Sequence, residues 1–280
     1  MNAAVATATA VIRADAARRR APSETLLKVG LGVVGVAALI ALWEIAPRVG
    51  LIDIRFFPPA SQVLATLLEQ VVTARFWTAV GLTMLAWLIG LAIPTAVACV
   101  MGLAIGTTPF LRRFTRSTIE FLRPIPSVGL IPLAVLLFGI GMESSVMLIA
   151  YACFWQVLVQ VLYGTADVDA VLRATARVYG MGPLARMRRV VVPTMLPYLM
   201  TGIRLAATVA LVLAITTQMI IGSPGLGQEI VNAQSSAQVP TLYALVLFTG
   251  FLGIAINAGS RAAERRLLRW HASVRAEVRQ

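Results

Sequence analysis

Long apolar stretches alternate with short polar ones along this chain. The apolar stretches cover residues 26–46, 79–106, 119–141, 145–163, 198–221 and 241–260. A helix needs about 20 apolar residues to cross a bilayer core. The pattern therefore predicts an all-α, polytopic membrane protein with six transmembrane helices.

Two of the intervening segments carry a helical period of their own. In 47–78, Pro58 and Pro59 interrupt the chain and Ser61 is a candidate helix cap. Val63, Leu64, Leu67, Leu68, Val71 and Val72 then line one face of an amphipathic helix. Such a helix lies on the outer leaflet or on the bundle. In 164–197, Val171, Leu172, Thr175, Val178 and Tyr179 define an apolar face. Asp169, Arg173 and Arg177 share another face at four-residue spacing, acid first, which suits i,i+4 pairing and the helix dipole. Asp167 or Asp169 is placed to cap the start, and Gly180 to take the left-handed position at the end. Pro183 then suits the first turn of a second short helix. Leu184, Met187, Val190 and Val191 form its apolar side, and Arg186, Arg188 and Arg189 its basic side. Pro193 and Pro197 are expected to stop it before the fifth span. Lying on anionic lipid and docking into a partner's groove fit this pattern equally well.

The third span is rich in helix breakers: Pro124, Pro126, Pro132, Gly129, Gly139 and Gly141. Interior proline removes a backbone hydrogen bond and kinks a helix. In lipid the freed carbonyls need protein or a wet cavity beside them. A kinked span beside a translocation pathway is expected here. Candidate pathway residues on spans three to five are Ser127, Met142, Gln156, Gln160, Thr216, Thr217 and Gln218. Each is polar or pliable, and each could also serve as an interhelical contact.

Composition agrees with the pattern: 59% of residues are hydrophobic and 13% charged, against about 25% charged in soluble domains. The net charge of +12 would suit nucleic acid if it clustered on one accessible face. Instead it collects at the ends of apolar stretches. With the N-terminus inside, the segments 1–28, 108–123, 164–197 and 261–280 hold twenty basic residues and the outer segments three: Arg48, Arg55 and Arg75. That asymmetry orients the chain with both termini cytoplasmic and argues against a nucleic-acid partner. Residues 1–25 read as a mobile cytoplasmic arm and 26–46 as an uncleaved N-terminal span, too long for a signal-peptide core. Residues 47–78 read as an extracytoplasmic segment, 79–260 as a five-helix core containing the polar loop 164–197, and 261–280 as a basic cytoplasmic tail.

Several chemistries are missing. Cys99 and Cys153 lie in apolar runs with no paired motif. His271 is the lone histidine, in the charged tail, so no His-based metal site or triad is available within the spans. A nucleotide phosphate loop needs Gly-Lys followed by Ser or Thr; the lone lysine, Lys28, precedes Val29. ATP energy would have to come from another subunit. Glu44, Glu120, Glu143 and Arg204 all fall near span ends. No mid-membrane acid of the kind used by ion-coupled carriers stands out, which weakens a self-sufficient secondary transporter or channel as the alternative.

The polar loop resembles the coupling motif of ABC-importer permeases, E-A-A-x-x-x-G, nine residues, then I-x-L-P. Here Ala174, Thr175 and Ala176 are followed by Gly180, then by Val190, Val191, Val192 and Pro193. The spacing is complete; Ala174 stands where the motif has glutamate, and Thr175 where it has its first alanine. "FLRPIPSVGLIPLAVLLFGIG" at 121–141, "LPYLMTGIRLA" at 196–206 and "SPGLGQEI" at 223–230 are similar to the nitrate/sulfonate/taurine branch of those permeases, over roughly residues 50–270. The resemblance implies a type I ABC-importer permease fold in the bacterial inner membrane. It also implies a second permease copy, an ABC ATPase subunit that uses ATP and Mg, and an extracytoplasmic solute-binding protein. No cofactor is implied for this chain, and no enzymatic activity. Docking to the ATPase would fall to Asp169, Arg173, Ala174, Thr175, Ala176, Arg177, Gly180 and Pro193. With Ala174 in place of the acid, Asp169, Arg173 and Arg177 are expected to supply the polar contacts. The branch suggests a small anion such as a sulfonate or nitrate as cargo.

Overall fold

Small side chains at four-residue spacing set the packing of this all-helical protein. The computed structural model describes residues 22–269, with side chains from residue 30 onward. Residues 1–21, the side chain of Lys28, His271 and the tail beyond 269 lie outside the described residues. The chain forms two units, 1–65 and 66–280.

In the first unit, α1 (Pro22–Arg48) exposes most of its apolar side chains from residue 30 onward. Its C-terminal turn anchors the start of the next helix. Trp43 donates from Nε1 to the Pro58 carbonyl at 3.1 Å. Glu44 accepts from the Ser61 backbone N–H at 2.9 Å and from its hydroxyl at 2.8 Å. Ser61 is thus not the cap expected of it. It is the second residue of α2 (Ala60–Val71), and the acid at that helix start comes from Glu44, where the dipole favours it. Within α2, Val63 and Leu67 are buried while Leu64, Leu68 and Val72 stay exposed, so its apolar face is split.

The second unit is built on α3 (Ala74–Thr107), α6 (Met142–Ala166) and α9 (Val192–Ile221). On α3, Ala86, Gly90, Pro94, Ala98 and Gly102 recur every four residues and are all buried. A Cβ at Gly90 would lie 2.6 Å from Ile149, and one at Gly102 would lie 2.6 Å from Val161. On α9, Gly202, Ala206, Ala210 and Ala214 form the matching stripe, with Gly202 against Gln160 and Val157. Close backbone approach through small residues drives helix association where lipid removes the hydrophobic contrast. The contacts also give direction. Gly90 meets Ile149 and Gly106 meets Thr165, so α3 and α6 run parallel. Gly164 meets Met195 and Gly202 meets Val157, so α9 runs opposite. The final long helix, α11 (Val239–Leu267), is tied to α9 by an ion pair from Arg204 to Glu264 at 3.1 Å.

Among the described residues, five helices are long and apolar enough to cross a membrane, and one bent pair would make a sixth. That pair corrects the expectation of a continuous, kinked third span over 119–141. Residues 119–122 close an amphipathic helix, α4 (Pro109–Leu122). After 123–126 the chain turns through a 3-10 segment (Ser127–Leu130) into the short α5 (Ile131–Phe138), at 81° to α4. Pro124 and Pro126 lack the N–H groups that would extend the ladder, so the helix breaks instead of bending.

The polar loop holds α7 (Ala170–Val178) and α8 (Pro183–Arg186). The second short helix does not end before span five, as its prolines suggested. A π turn (Met187–Val191) carries it directly into α9, with the Val192 N–H bonded to the Met187 carbonyl. That i→i−5 step widens the turn where the Pro193 ring would otherwise meet the carbonyl of Arg189. Pro193 then occupies the first turn of α9, where no N–H is needed, and Pro197 sits inside the helix. After Gly222 and Gly225, both at positive φ, α10 (Leu226–Ser235) follows.

Candidate functional site

Two places collect the residues singled out by the sequence. The first is the 168–193 segment. The Asp169 side chain accepts from the Val171 N–H at 2.7 Å and caps α7. At the other end Gly180 takes φ +66. Its N–H bonds to the Arg177 carbonyl and the Met181 N–H to the Ala176 carbonyl, each at 3.0 Å. These two bonds make a Schellman stop, sealed by contact among Ala176, Val168, Val190 and Met181. The helix therefore turns Ala176 inward. The face read as apolar points out: Val178 is 86% exposed, and Val171, Leu172 and Tyr179 are exposed too. On α8, Leu184 is 82% exposed. Ala174 and Thr175 are exposed beside them.

Behind this face lies a cleft of about 420 Å³, lined by Thr107, Arg173, Arg177, Arg186 and Val190 among others, with no acidic residue. The expected Asp169–Arg173 pairing does not form. Asp169 is engaged as the cap, and Arg173 reaches back to the Thr165 carbonyl at 2.5 Å, where the C-terminal carbonyls of α6 favour a cation. Arg186 has a buried Nε with no acceptor. The segment thus presents exposed apolar side chains beside unneutralised guanidinium groups.

The second place is the broken span. Of the seven pathway candidates, the structure brings two together: Ser127 and Gln156 line a cleft of about 300 Å³ with Arg123, Pro126, Tyr151 and Trp155. The others are dispersed. Met142 packs against the main core. Gln160 lies against Gly202, and Thr216 is half-buried on α9. Thr217 returns its hydroxyl to the Leu213 carbonyl at 2.7 Å. Gln218 is tied into the packing through its carbonyl oxygen. Its Oε1 accepts from the Thr83 hydroxyl at 2.9 Å and from the Gly227 N–H at 3.1 Å. Thr83 in turn accepts from the Leu226 N–H at 2.9 Å. The orphan N–H groups at the start of α10 are satisfied in this way, and a Cβ at Gly225 would lie 2.3 Å from Gln218.

Sequence reasoning missed Arg123 and Trp155. The charge pattern counts Arg123 with the inner loop. The signal for its displacement is the Pro-Ile-Pro after it, which ends the helix one residue earlier.

Residues 95–269 match the model of the "binding-protein-dependent transport system inner membrane component" family. The taurine transport system permease protein of Escherichia coli is 28% identical over 252 residues, covering 88% of this chain and 92% of that protein. The nitrate import permease protein of Synechocystis is 22% identical over 169 residues, 60% of this chain and 62% of that one. Among solved structures, the inward-facing MetNI methionine ABC transporter matches with a TM-score of 0.54 at 16% identity, over 75% of this chain and 97% of its own. That likeness establishes the fold, a type I ABC-importer permease architecture.

Proposed function

The chain belongs to the family of inner-membrane components of binding-protein-dependent transport systems, and from this premise we propose how it docks, what it carries and with what it assembles. It is the transmembrane permease subunit of an ATP-binding-cassette importer. The self-sufficient carrier or channel weighed from sequence finds no support in these relatives.

The 168–193 segment is the surface for the ATPase subunit. One observation carries this: exposed Val178, Tyr179 and Leu184 stand beside a basic cleft with no acid of its own. A partner groove lined by apolar and acidic groups would complement it. Within the segment, Arg177, Arg188 and Arg189 are exposed cations, and Arg177, which also lines the cleft, is the one we assign to pairing across the interface. Asp169, Arg173, Ala176, Gly180 and Pro193 shape the surface, and Ala174 and Thr175 lie on its rim. Closure of the ATPases would swing the spans through this contact. ATP and Mg are held by the ATPase, since this chain's lone lysine has no phosphate loop around it.

The remaining assembly follows the same reading. Two copies of the permease pair as a homodimer, a solute-binding protein delivers cargo from outside, and both termini are cytoplasmic. The arm (1–25), the extra first span (26–46), the extracytoplasmic segment (47–78), the core (79–260) and the basic tail (261–280) keep these roles. The cargo is a small organic or inorganic anion of the sulfonate or nitrate kind, as the names of the relatives suggest. Co-expression with an ABC ATPase and a binding protein encoded nearby, followed by affinity purification and uptake in proteoliposomes, tests the reading. Stable co-purification and ATP-dependent anion uptake are expected. Uptake by this chain alone would overturn it.

A further inference from the structure

The break in the third span puts a charge where the sequence pattern suggested none. Arg123 follows α4 directly and lines the 300 Å³ cleft with Trp155 and Gln156. Phe154 is the central residue of the 25-residue α6, so Trp155 and Gln156 mark the middle of the bundle along its axis. Val209, also in that wall, belongs to the middle of α9. Arg123 is therefore level with the middle of the spans. A charge at that depth costs about 2.5–3.5 kcal/mol on insertion scales, and such groups are kept for a partner. No carboxylate among the described residues supplies one. Glu120, one turn back, shares a second cleft with Arg123, Arg112 and Arg116 but is held by Arg116 at 2.9 Å, and no acid lines the cleft with Trp155.

An independent observation points the same way. Trp155 has a buried Nε1–H with no acceptor. An indole N–H can only donate, and leaving it unpaired costs about 1–3 kcal/mol. Ser127 and Gln156 add a hydroxyl and a carboxamide to the same walls. Tyr151 adds little donor capacity, because its hydroxyl is given to the Leu122 carbonyl at 2.6 Å. One cation, several donors and no acid complement a compact group with several acceptor oxygens. A cationic or apolar ligand would leave Arg123 and the Trp155 N–H, which can only donate, without a partner.

We propose that this cleft is a binding site for an oxoanion midway through the permease, with Arg123 as counter-charge and Ser127, Trp155 and Gln156 as hydrogen-bond donors. This rests on the importer reading and deepens it: the permease itself, and not the binding protein alone, recognises the anionic group. The prolines that break the span give the site its place, because a continuous helix would carry Arg123 on an unbroken surface with no crevice beside it.

The test uses the full chain in neutral phosphatidylcholine nanodiscs with ¹⁵N-labelled tryptophan, the Trp155 indole signal being assigned with W155F. Methanesulfonate and nitrate are titrated against choline chloride at matched ionic strength. A saturable shift of the Trp155 signal with the oxoanions, absent with chloride, is expected. R123Q should weaken the apparent affinity about tenfold or more, as loss of a charge-assisted contact predicts, and R123K should weaken it less. Calorimetry on wild type and R123Q makes the same comparison without W155F. No saturable binding, or equal affinity in R123Q, overturns the proposal. A Trp155 shift produced by phosphatidylglycerol in the disc without added anion would assign the site to a lipid phosphate and overturn it for solute. Capture of the ATPase by R123Q is measured in parallel. Loss of anion binding in R123Q with capture intact supports this site, and failure of capture with anion binding intact counts only against the docking reading.

Discussion

The Tyr151 hydroxyl donates a 2.6 Å hydrogen bond to the main-chain carbonyl of Leu122. Leu122 is the last residue of α4 and Tyr151 is a third of the way along α6. This bond pins the broken end of one helix to the flank of another, at a carbonyl that the Pro-Ile-Pro break leaves with one backbone donor, the Ile125 N–H at 3.2 Å. Tyr151→Phe should cost about 1 kcal/mol and loosen the break. We expect a lower melting temperature in detergent and reduced uptake with ATPase capture unchanged. Wild-type melting and wild-type uptake together would show that the bond holds nothing.

The start of α10 hangs on Thr83 and Gln218. Thr83→Val and Gln218→Leu each remove one partner from a buried pair, at about 1–3 kcal/mol apiece. The double mutant should fall short of the sum by about 0.5–3 kcal/mol. Chemical denaturation of the four proteins measures this, and strict additivity would argue against a shared network.

Helix packing depends on the bare backbone of α3. Gly102→Leu would drive atoms into Val161, and overpacking of this kind costs about 1–3 kcal/mol or more. Yield of monodisperse protein should drop sharply. Gly81→Ala, on the same helix with nothing within 4 Å, should behave as wild type.

Coupling should depend on the shape and charge of the 168–193 segment. Gly180→Val forces a branched side chain into φ +66, where even an unbranched residue costs about 1–2 kcal/mol. Arg177→Glu reverses one of the segment's exposed cations. Both should keep membrane insertion and lose ATP-driven uptake, while ATPase turnover persists uncoupled. Gly182→Ala, at φ −63 with open space around it, is the control. Normal uptake in both test variants would remove this segment from the docking role.

The five unbroken spans and the turn at Gly180 were legible because they rest on local rules: apolar run length, capping side chains and left-handed glycine. Other features were not. Pro193 and Pro197 read as stops because a proline clash is a local rule, yet the π turn at 187–191 absorbs it. Gln218 read as a pathway residue because a polar side chain in a span has two uses, and periodicity cannot tell them apart. Its partners, Thr83 and the α10 backbone, are 135 and 9 residues away. Ala176 is buried and Val178 exposed, against their hydrophobicity, because the contact with Val168 and Val190 chooses the inner face of α7 and leaves the larger residues exposed.

By itself, then, the sequence determined a multi-span helical membrane protein, its charge asymmetry, the helix-turn-helix in its polar loop and the resemblance that led to its family. Each arises from side-chain chemistry summed over neighbouring positions. Only the tertiary structure decided that the third span is broken at 123–126 and that Arg123 comes level with Trp155 in the middle of the bundle. That depth depends on where α4 meets α6, and a contact between residues some thirty positions apart (Leu122 and Tyr151, |i−j| 29) leaves no trace in the period of either segment.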